Sequence, residues 1–176
     1  MIVTDGFEEL EAVGAYDILT RGGVEVDIFT LSGTQAKGKC GLVCAQLAPV
    51  KALLPAAYDA LILPGGPQFE ALKNDPRVKE IIADFHRQNK ILAAICASPV
   101  LLGEMGLLKD KKYTCFPPMD ADFGGQFTGN YAETDGNIVT GQSAAAAVDF
   151  GLAVLESLCG PETAQRVQNS IFYKVP

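Results

Sequence analysis

The sequence contains no tryptophan and a single histidine, His86. One histidine leaves any nucleophilic cysteine a single candidate base. Basic residues are outnumbered: 14 Lys and Arg face 21 Asp and Glu, a formal net charge of −7. No basic patch is available to neutralise phosphates, which argues against nucleic acid or an anionic membrane surface as the main partner. The densest basic cluster, Lys109, Lys111 and Lys112, reads as a solvated turn. No apolar run reaches the roughly 20 residues of a membrane span. Pro99 interrupts the stretch around Cys96, and Asp149 interrupts Ala144–Leu158. No basic-then-apolar leader is visible, so no signal peptide is expected. Repeats, low-complexity tracts and linkers are also missing. A length of 176 residues fits one domain, residues 1–176.

Cysteine is present in an odd number, five, at irregular spacings: Cys40, Cys44, Cys96, Cys115 and Cys159. A chain of this size needs no disulfide staples, so the pattern reads as reduced thiols in the cytoplasm. Cys40 and Cys44 make a poor metal site, because no further Cys/His pair completes it. With Cys115 and Cys159 they read as packing thiols, free cysteine being among the most buried residue types.

Along the chain, Met1–Thr4 is a short apolar start. Asp5 is placed to cap a helix running to about Arg21, with Glu8 as capping-box partner and Gly22-Gly23 as its end. "VEVDIFTL" (Val24–Leu31) alternates and is rich in β-branched residues, the pattern of a strand. Gly33–Gln46 reads as an edge hairpin. "YDALILPGG" ends a buried strand near Leu63. Asn74 or Asp75 caps a helix with Pro76 at its first position, running to about Gln88. "KILAAI" is another buried strand, with Cys96 at its end. A short helix from about Pro99 to Met105, a short strand in Lys112–Phe116 and a surface loop over Pro117–Gly129 follow. "ETDGNIVT" is a hairpin with Asp135-Gly136 at its turn. A helix over about Ala144–Cys159 stops at Gly160, and Pro161 opens a last short helix. Buried strands alternating with amphipathic helices predict a parallel sheet with helices on both faces. Ligands of such folds bind outside the carboxyl ends of the strands. The loop after Met1–Thr4, the Pro64-Gly65-Gly66 turn and Cys96 converge there.

Cys96 stands where a strand turns into a helix, the arrangement of a nucleophile elbow. Ala97 and Ser98 are small enough for the turn. A helix N-terminus also lowers a thiol pKa, from about 8.5 towards about 3.5–7.5. His86 is not the base: it belongs near the start of the strand that Cys96 ends, roughly 16 Å away at about 3.3 Å per residue. Glu11 shares the apolar stripe Phe7, Gly14, Ala15 and Ile18. It either tilts to solvent at the helix end or lies partly buried. A buried Glu11 has a raised pKa, keeps its proton and can donate to the Cys96 thiolate. Gly65-Gly66 is either an ordinary tight turn or a source of closely approaching backbone N–H groups, one of which, from Gly65 or Gly66, forms an oxyanion hole with Ala97 N–H.

The segments "DGFEELEAVGAYDILTRGG", "YDALILPGG", "AAICASPVLL" and "TGQSAAAAVDFGLAVLE" together resemble the ThiJ/PfpI superfamily. Within it they are similar to the branch of the parkinsonism-associated protein deglycase and its bacterial ThiJ-like relatives. The likeness covers nearly the whole chain in the same order. It implies an α/β, flavodoxin-like three-layer sandwich with a mostly parallel central sheet and helices on both faces, usually as a homodimer. Cys96 matches the family's reactive cysteine, which oxidises readily to a sulfinate. Glu11 matches the protonated glutamate that hydrogen-bonds it. Gly66 and Ala97 match the backbone donors of the oxyanion site. Protease-like members carry a histidine directly after the cysteine, where this chain has Ala97. In "TCFPP", Phe116 stands where some deglycase-branch members have a histidine, and Cys115 falls beside that position. Relatives also have a longer first strand.

Three functions follow from these residues and the resemblance. The leading one is a cysteine-dependent, glutathione-independent enzyme acting on methylglyoxal-like α-oxoaldehydes or early glycation adducts, with no metal or organic cofactor. Its partners would be a small carbonyl substrate or a glycated protein. The second is a redox sensor or chaperone working through Cys96 oxidation. The third, an intracellular peptidase or amidase, lacks its histidine.

Overall fold

The computed structural model describes residues 1–174. A helix α1 (Glu9–Arg21) follows the first apolar segment. A strand β1 (Phe29–Thr30) and a hairpin β2 (Gln35–Lys37) and β3 (Val43–Ala45) come next, then β4 (Ala48–Pro49) and β5 (Ala60–Leu63). Helices α2 (Phe69–Asn74) and α3 (Pro76–Arg87) lead to β6 (Ile91–Ile95) and α4 (Pro99–Glu104). The chain continues through β7 (Lys112–Tyr113), β8 (Gln126–Phe127), β9 (Ala132–Asp135) and β10 (Ile138–Gly141). It closes with α5 (Ala147–Cys159) and α6 (Pro161–Ser170).

The central sheet runs β5-β6-β10-β9, parallel except for the β9 edge. Met1–Thr4 extends it: Ile2 N–H donates to Ile62 at 3.1 Å, and Val3 N–H to Phe29 at 2.8 Å. Beyond lie β1 and β4, paired in parallel. Along β6, Leu92 and Ala94 enter one core with α3 and α4, while Ala93 and Ile95 enter the other with α1 and α5. That alternation is the two-residue period of a strand covered on both faces. The architecture is the expected α/β, flavodoxin-like sandwich. Gly14 faces Ala147 and Gly151 faces Ile18, so α1 and α5 cross closely. Among the described residues no helix is long and apolar enough to cross a membrane.

Several boundaries differ from the sequence reading. Glu8, not Asp5, caps α1, its carboxylate accepting Glu11 N–H at 2.9 Å. Asp5 instead accepts Lys37 N–H at 2.8 Å, and Gly6 turns the chain at φ +86°. Only Phe29–Thr30 of Val24–Leu31 is paired as strand, because its neighbours Met1–Thr4 and β4 are short. A single 3-10 turn at Ala144–Ala146 precedes α5, which starts at Ala147. Helix α2 was not anticipated. Strand β8 lies in the segment read as loop, held by edge-to-face contact of Phe127 with Tyr113. Cys40 and Cys159 are exposed, so they are not the packing thiols expected; Cys115 is fully buried.

Candidate active site

The end of β6 makes the elbow. Cys96 adopts φ +64°, a left-handed conformation that costs a non-glycine residue about 1–3 kcal/mol unless its surroundings hold it. Here they do. Cys96 N–H donates to Gly141 of β10 at 2.9 Å, and Phe116 N–H donates to the Cys96 carbonyl at 2.8 Å. Ser98 Oγ donates to the Pro64 carbonyl at 2.8 Å, which also accepts Gln68 Nε2 at 2.7 Å. Gln68 Oε1 in turn accepts Thr4 N–H at 2.7 Å. These buried bonds tie the carboxyl ends of three strands around the thiol, where the fold rule places ligands.

Glu11 does not tilt to solvent: it is 0% exposed. Its Oε2 accepts Gly65 N–H at 2.7 Å. Its Oε1 is buried with no hydrogen-bond partner, and the carboxyl interacts with the Cys96 thiol. Burial pushes the Glu11 carboxyl up from 4.5 to about 7, against the pull of the Gly65 N–H and the thiol; the neighbouring Glu8 charge adds to the rise. Cys96 differs from the simple helix-terminus expectation. Burial, then the charge of an ionised Glu11, push it up to about 12, while the N–H groups of Ala97 and Gly66 pull it down. The pair therefore gives up its first proton near 7.

Gly65 is thus not free for an oxyanion, since its N–H is taken by Glu11. The donors aimed at the sulfur are Gly66 and Ala97. Gly65 has a different duty. A Cβ there would lie 2.7 Å from Cys96 Cβ and 2.9 Å from Glu11 Oε2, inside normal contact. Gly65→Ala is expected to lose about 1–3 kcal/mol of stability through overpacking. It should also separate the two side chains, slowing Cys96 alkylation; a wild-type alkylation profile and melting curve would refute this.

The pocket over Cys96 has a volume of about 450 Å³. Lys39 at its rim lies 3.5 Å from Glu8, whose buried carboxylate also caps α1. Sequence reasoning missed Lys39, Phe69, Met119 and Ser143 as lining residues. Only Ser143 carried a signal, its position just past the end of β10. Cys115 is absent from the pocket lining and packs in the core with Leu101 and Leu102. His86 is exposed at the end of α3, where the chain enters the start of β6. Hollows of about 500 Å³ beside Met1 and Tyr58 and about 830 Å³ between α5, α6 and β9 are larger. Among the described residues, only the Cys96 pocket joins a thiol to a buried carboxyl and convergent N–H groups. No group of three or more His, Cys, Asp or Glu side chains among them is placed to hold a metal ion.

A thiol on a strand-to-helix elbow, with a buried glutamate behind it on a flavodoxin-like sheet, defines a class of cysteine site rather than a particular reaction. The model of the DJ-1/PfpI family matches residues 1–157, and the chain belongs to that family. Protein dj-1beta of Drosophila melanogaster is 30% identical over 182 residues, covering 97% of this chain and 94% of that protein. The Parkinson disease protein 7 homolog of Danio rerio is 29% identical, covering 99% of this chain and 96% of its own. Among solved structures, oxidized Toxoplasma gondii DJ-1 matches with a TM-score of 0.90 at 28% identity, over 99% of this chain and 97% of that one.

Proposed function

We propose that the chain is a Cys96-dependent, glutathione-independent enzyme of the glyoxalase or deglycase type, acting on α-oxoaldehydes or early glycation adducts. The observation that carries this reading is the buried Glu11 carboxyl, which interacts with the Cys96 thiol and whose Oε1 has no hydrogen-bond partner. Burial leaves the carboxyl at about 7 and the thiol at about 12, so above about 7 the pair's remaining proton rests on the sulfur. Glu11 takes it as the sulfur attacks, the growing charge being met by the N–H groups of Gly66 and Ala97.

The sulfur attacks the aldehyde carbon, forming an S–C bond. The oxyanion meets the N–H groups of Gly66 and Ala97 and gains a proton from Glu11. Glu11, now ionised, removes the proton on that carbon and returns it to the neighbouring carbon, while the hydroxyl proton of the first carbon passes to the oxygen of the second, leaving a thioester beside an alcohol. One carbon is oxidised as the other is reduced, so no external oxidant is needed. Water then hydrolyses the thioester, releasing a 2-hydroxy acid and the free thiol. The test is conversion of methylglyoxal to lactate without glutathione by the wild-type chain. No rate above background would sink the enzyme reading.

A second reading is supported by the oxidized state of the Toxoplasma relative. Peroxide would convert the Cys96 thiolate to a sulfenate, and a second peroxide would give the sulfinate. Its oxygens would meet the same two N–H groups. Peroxide titration followed by the mass of the Cys96 peptide tests it.

All five cysteines are free, which supports a reducing, cytoplasmic compartment. An apolar face supports a homodimer: Leu10, Val13 and Tyr16 of α1 are exposed, as are Leu42 and Val43 of the adjoining hairpin. The hairpin tip is tied to α1 by Cys40 N–H donating to Glu9 at 2.6 Å. Sedimentation should give twice the chain mass, and Val13→Glu should shift it towards the monomer. A monomeric wild type at micromolar concentration refutes the dimer.

A further inference from the structure

The pocket is too large and too apolar for its expected substrate. About 450 Å³ falls within the roughly 300–1,000 Å³ that encloses a drug-sized ligand. Methylglyoxal offers only a methyl group to that space once its aldehyde is on the sulfur. The walls facing the space are Phe69, Phe116, Met119, Pro67 and Ala144. Phe116 is held in place by its N–H bond to the Cys96 carbonyl, and Met119 N–H donates to the Phe116 carbonyl at 2.8 Å. The segment carrying both is anchored by Tyr113, whose hydroxyl donates to Asp120 at 2.7 Å. Yet Phe116 is 40% exposed, and its ring pairs with no other aromatic ring among the described residues. Polar capacity is sparse and specific. Ser143 lines the pocket, and its hydroxyl makes no hydrogen bond among the described residues. Charge does not favour an anion: Lys39 is paired with Glu8, and Glu70 lines the rim as well.

We propose that the Cys96 pocket selects α-oxoaldehydes whose second substituent is a bulky neutral apolar group, of the phenylglyoxal class, over methylglyoxal. This rests on the aldehyde reading given above. The aryl group packs against Phe116, Met119 and Phe69, removing apolar surface from water on both sides. The ketone oxygen accepts from Ser143. The same internal transfer then yields a 2-hydroxy-2-aryl acid, with water the sole co-reactant.

The test is protection of Cys96 from iodoacetamide by phenylglyoxal, methylglyoxal and glyoxylate, scored on the mass of the Cys96 peptide alone. Turnover of each is followed in parallel. Phenylglyoxal is expected to half-protect at a concentration at least about tenfold below methylglyoxal, the scale of selectivity that added apolar groups give in such pockets. Glyoxylate should protect least. Phe116→Ala and Met119→Ala should each shrink the preference. Equal or better protection by methylglyoxal or glyoxylate overturns the proposal, as does no protection by any of the three. The expected order of protection without turnover of any aldehyde would leave the selectivity standing and remove the enzyme reading instead.

Discussion

Cys96→Ser is expected to abolish conversion of methylglyoxal to lactate, lowering the rate by at least about 10³-fold, the order seen when a nucleophile acting with its partners is removed. A serine hydroxyl keeps the size and the N–H partners of the thiol, but it does not ionise beside a buried carboxyl. The backbone should be unmoved. The left-handed φ of +64° is set by the bonds to Gly141 and Phe116, which serine retains. The melting temperature should therefore stay close to wild type while activity disappears. Retained turnover in Cys96→Ser would move the chemistry to another residue. Loss of folding would make the loss of activity uninformative, and Cys96→Ala, which removes only the sulfur, then separates the two.

The parts legible in the sequence were those whose signal is local. Ile91–Ile95 is an apolar run ended by small residues, so both the strand and its corner at Cys96 could be read directly. Asp75 before Pro76 marked the start of α3, and Asp75 does accept Arg77 N–H there at 2.9 Å. The same element bounds removed His86 from the site. Glu11 was half legible: its phase put it on the apolar stripe, but a stripe does not say whether a terminal carboxylate bends out to water. Close packing of Gly65 against it settles that, and no spacing rule reports it. Helix α2 has six residues, too few to show a period. The α1 cap was misplaced because Asp5 finds its partner on Lys37, 32 positions away. Phe69, Met119 and Ser143 meet only through the tertiary fold. The thiol was misjudged for a related reason. A helix-terminus rule counts backbone N–H groups, whereas the carboxyl that sets the charge state of Cys96 arrives from α1, far away in sequence.

Glu11→Gln is expected to lose activity and gain stability, and the two effects have one cause. Burial holds the carboxyl proton up to about pH 7, compared with 4.5 when exposed. Between those values the folded chain keeps a proton that the unfolded chain has lost. The stabilising effect of that proton is complete below about 4.5, shrinks as pH rises, and is gone above about 7. The interval corresponds to about 3 kcal/mol, or roughly 6–12 °C in melting temperature for a chain of this size. Glutamine can accept the Gly65 N–H, carries no charge and does not titrate. The difference in melting temperature between Glu11→Gln and wild type should therefore grow in the variant's favour from pH 4.5 to 7 and level off above. Groups common to both chains, such as Asp75 and Asp135, cancel in that difference. Activity should move the other way, falling about 10²–10⁴-fold at every pH because glutamine cannot carry the proton between carbons. A pH-independent stability difference would mean that Glu11 is ionised throughout, with Cys96 left as a neutral thiol. A stabilised but fully active variant would instead leave the carboxyl buried and take the proton transfer away from it.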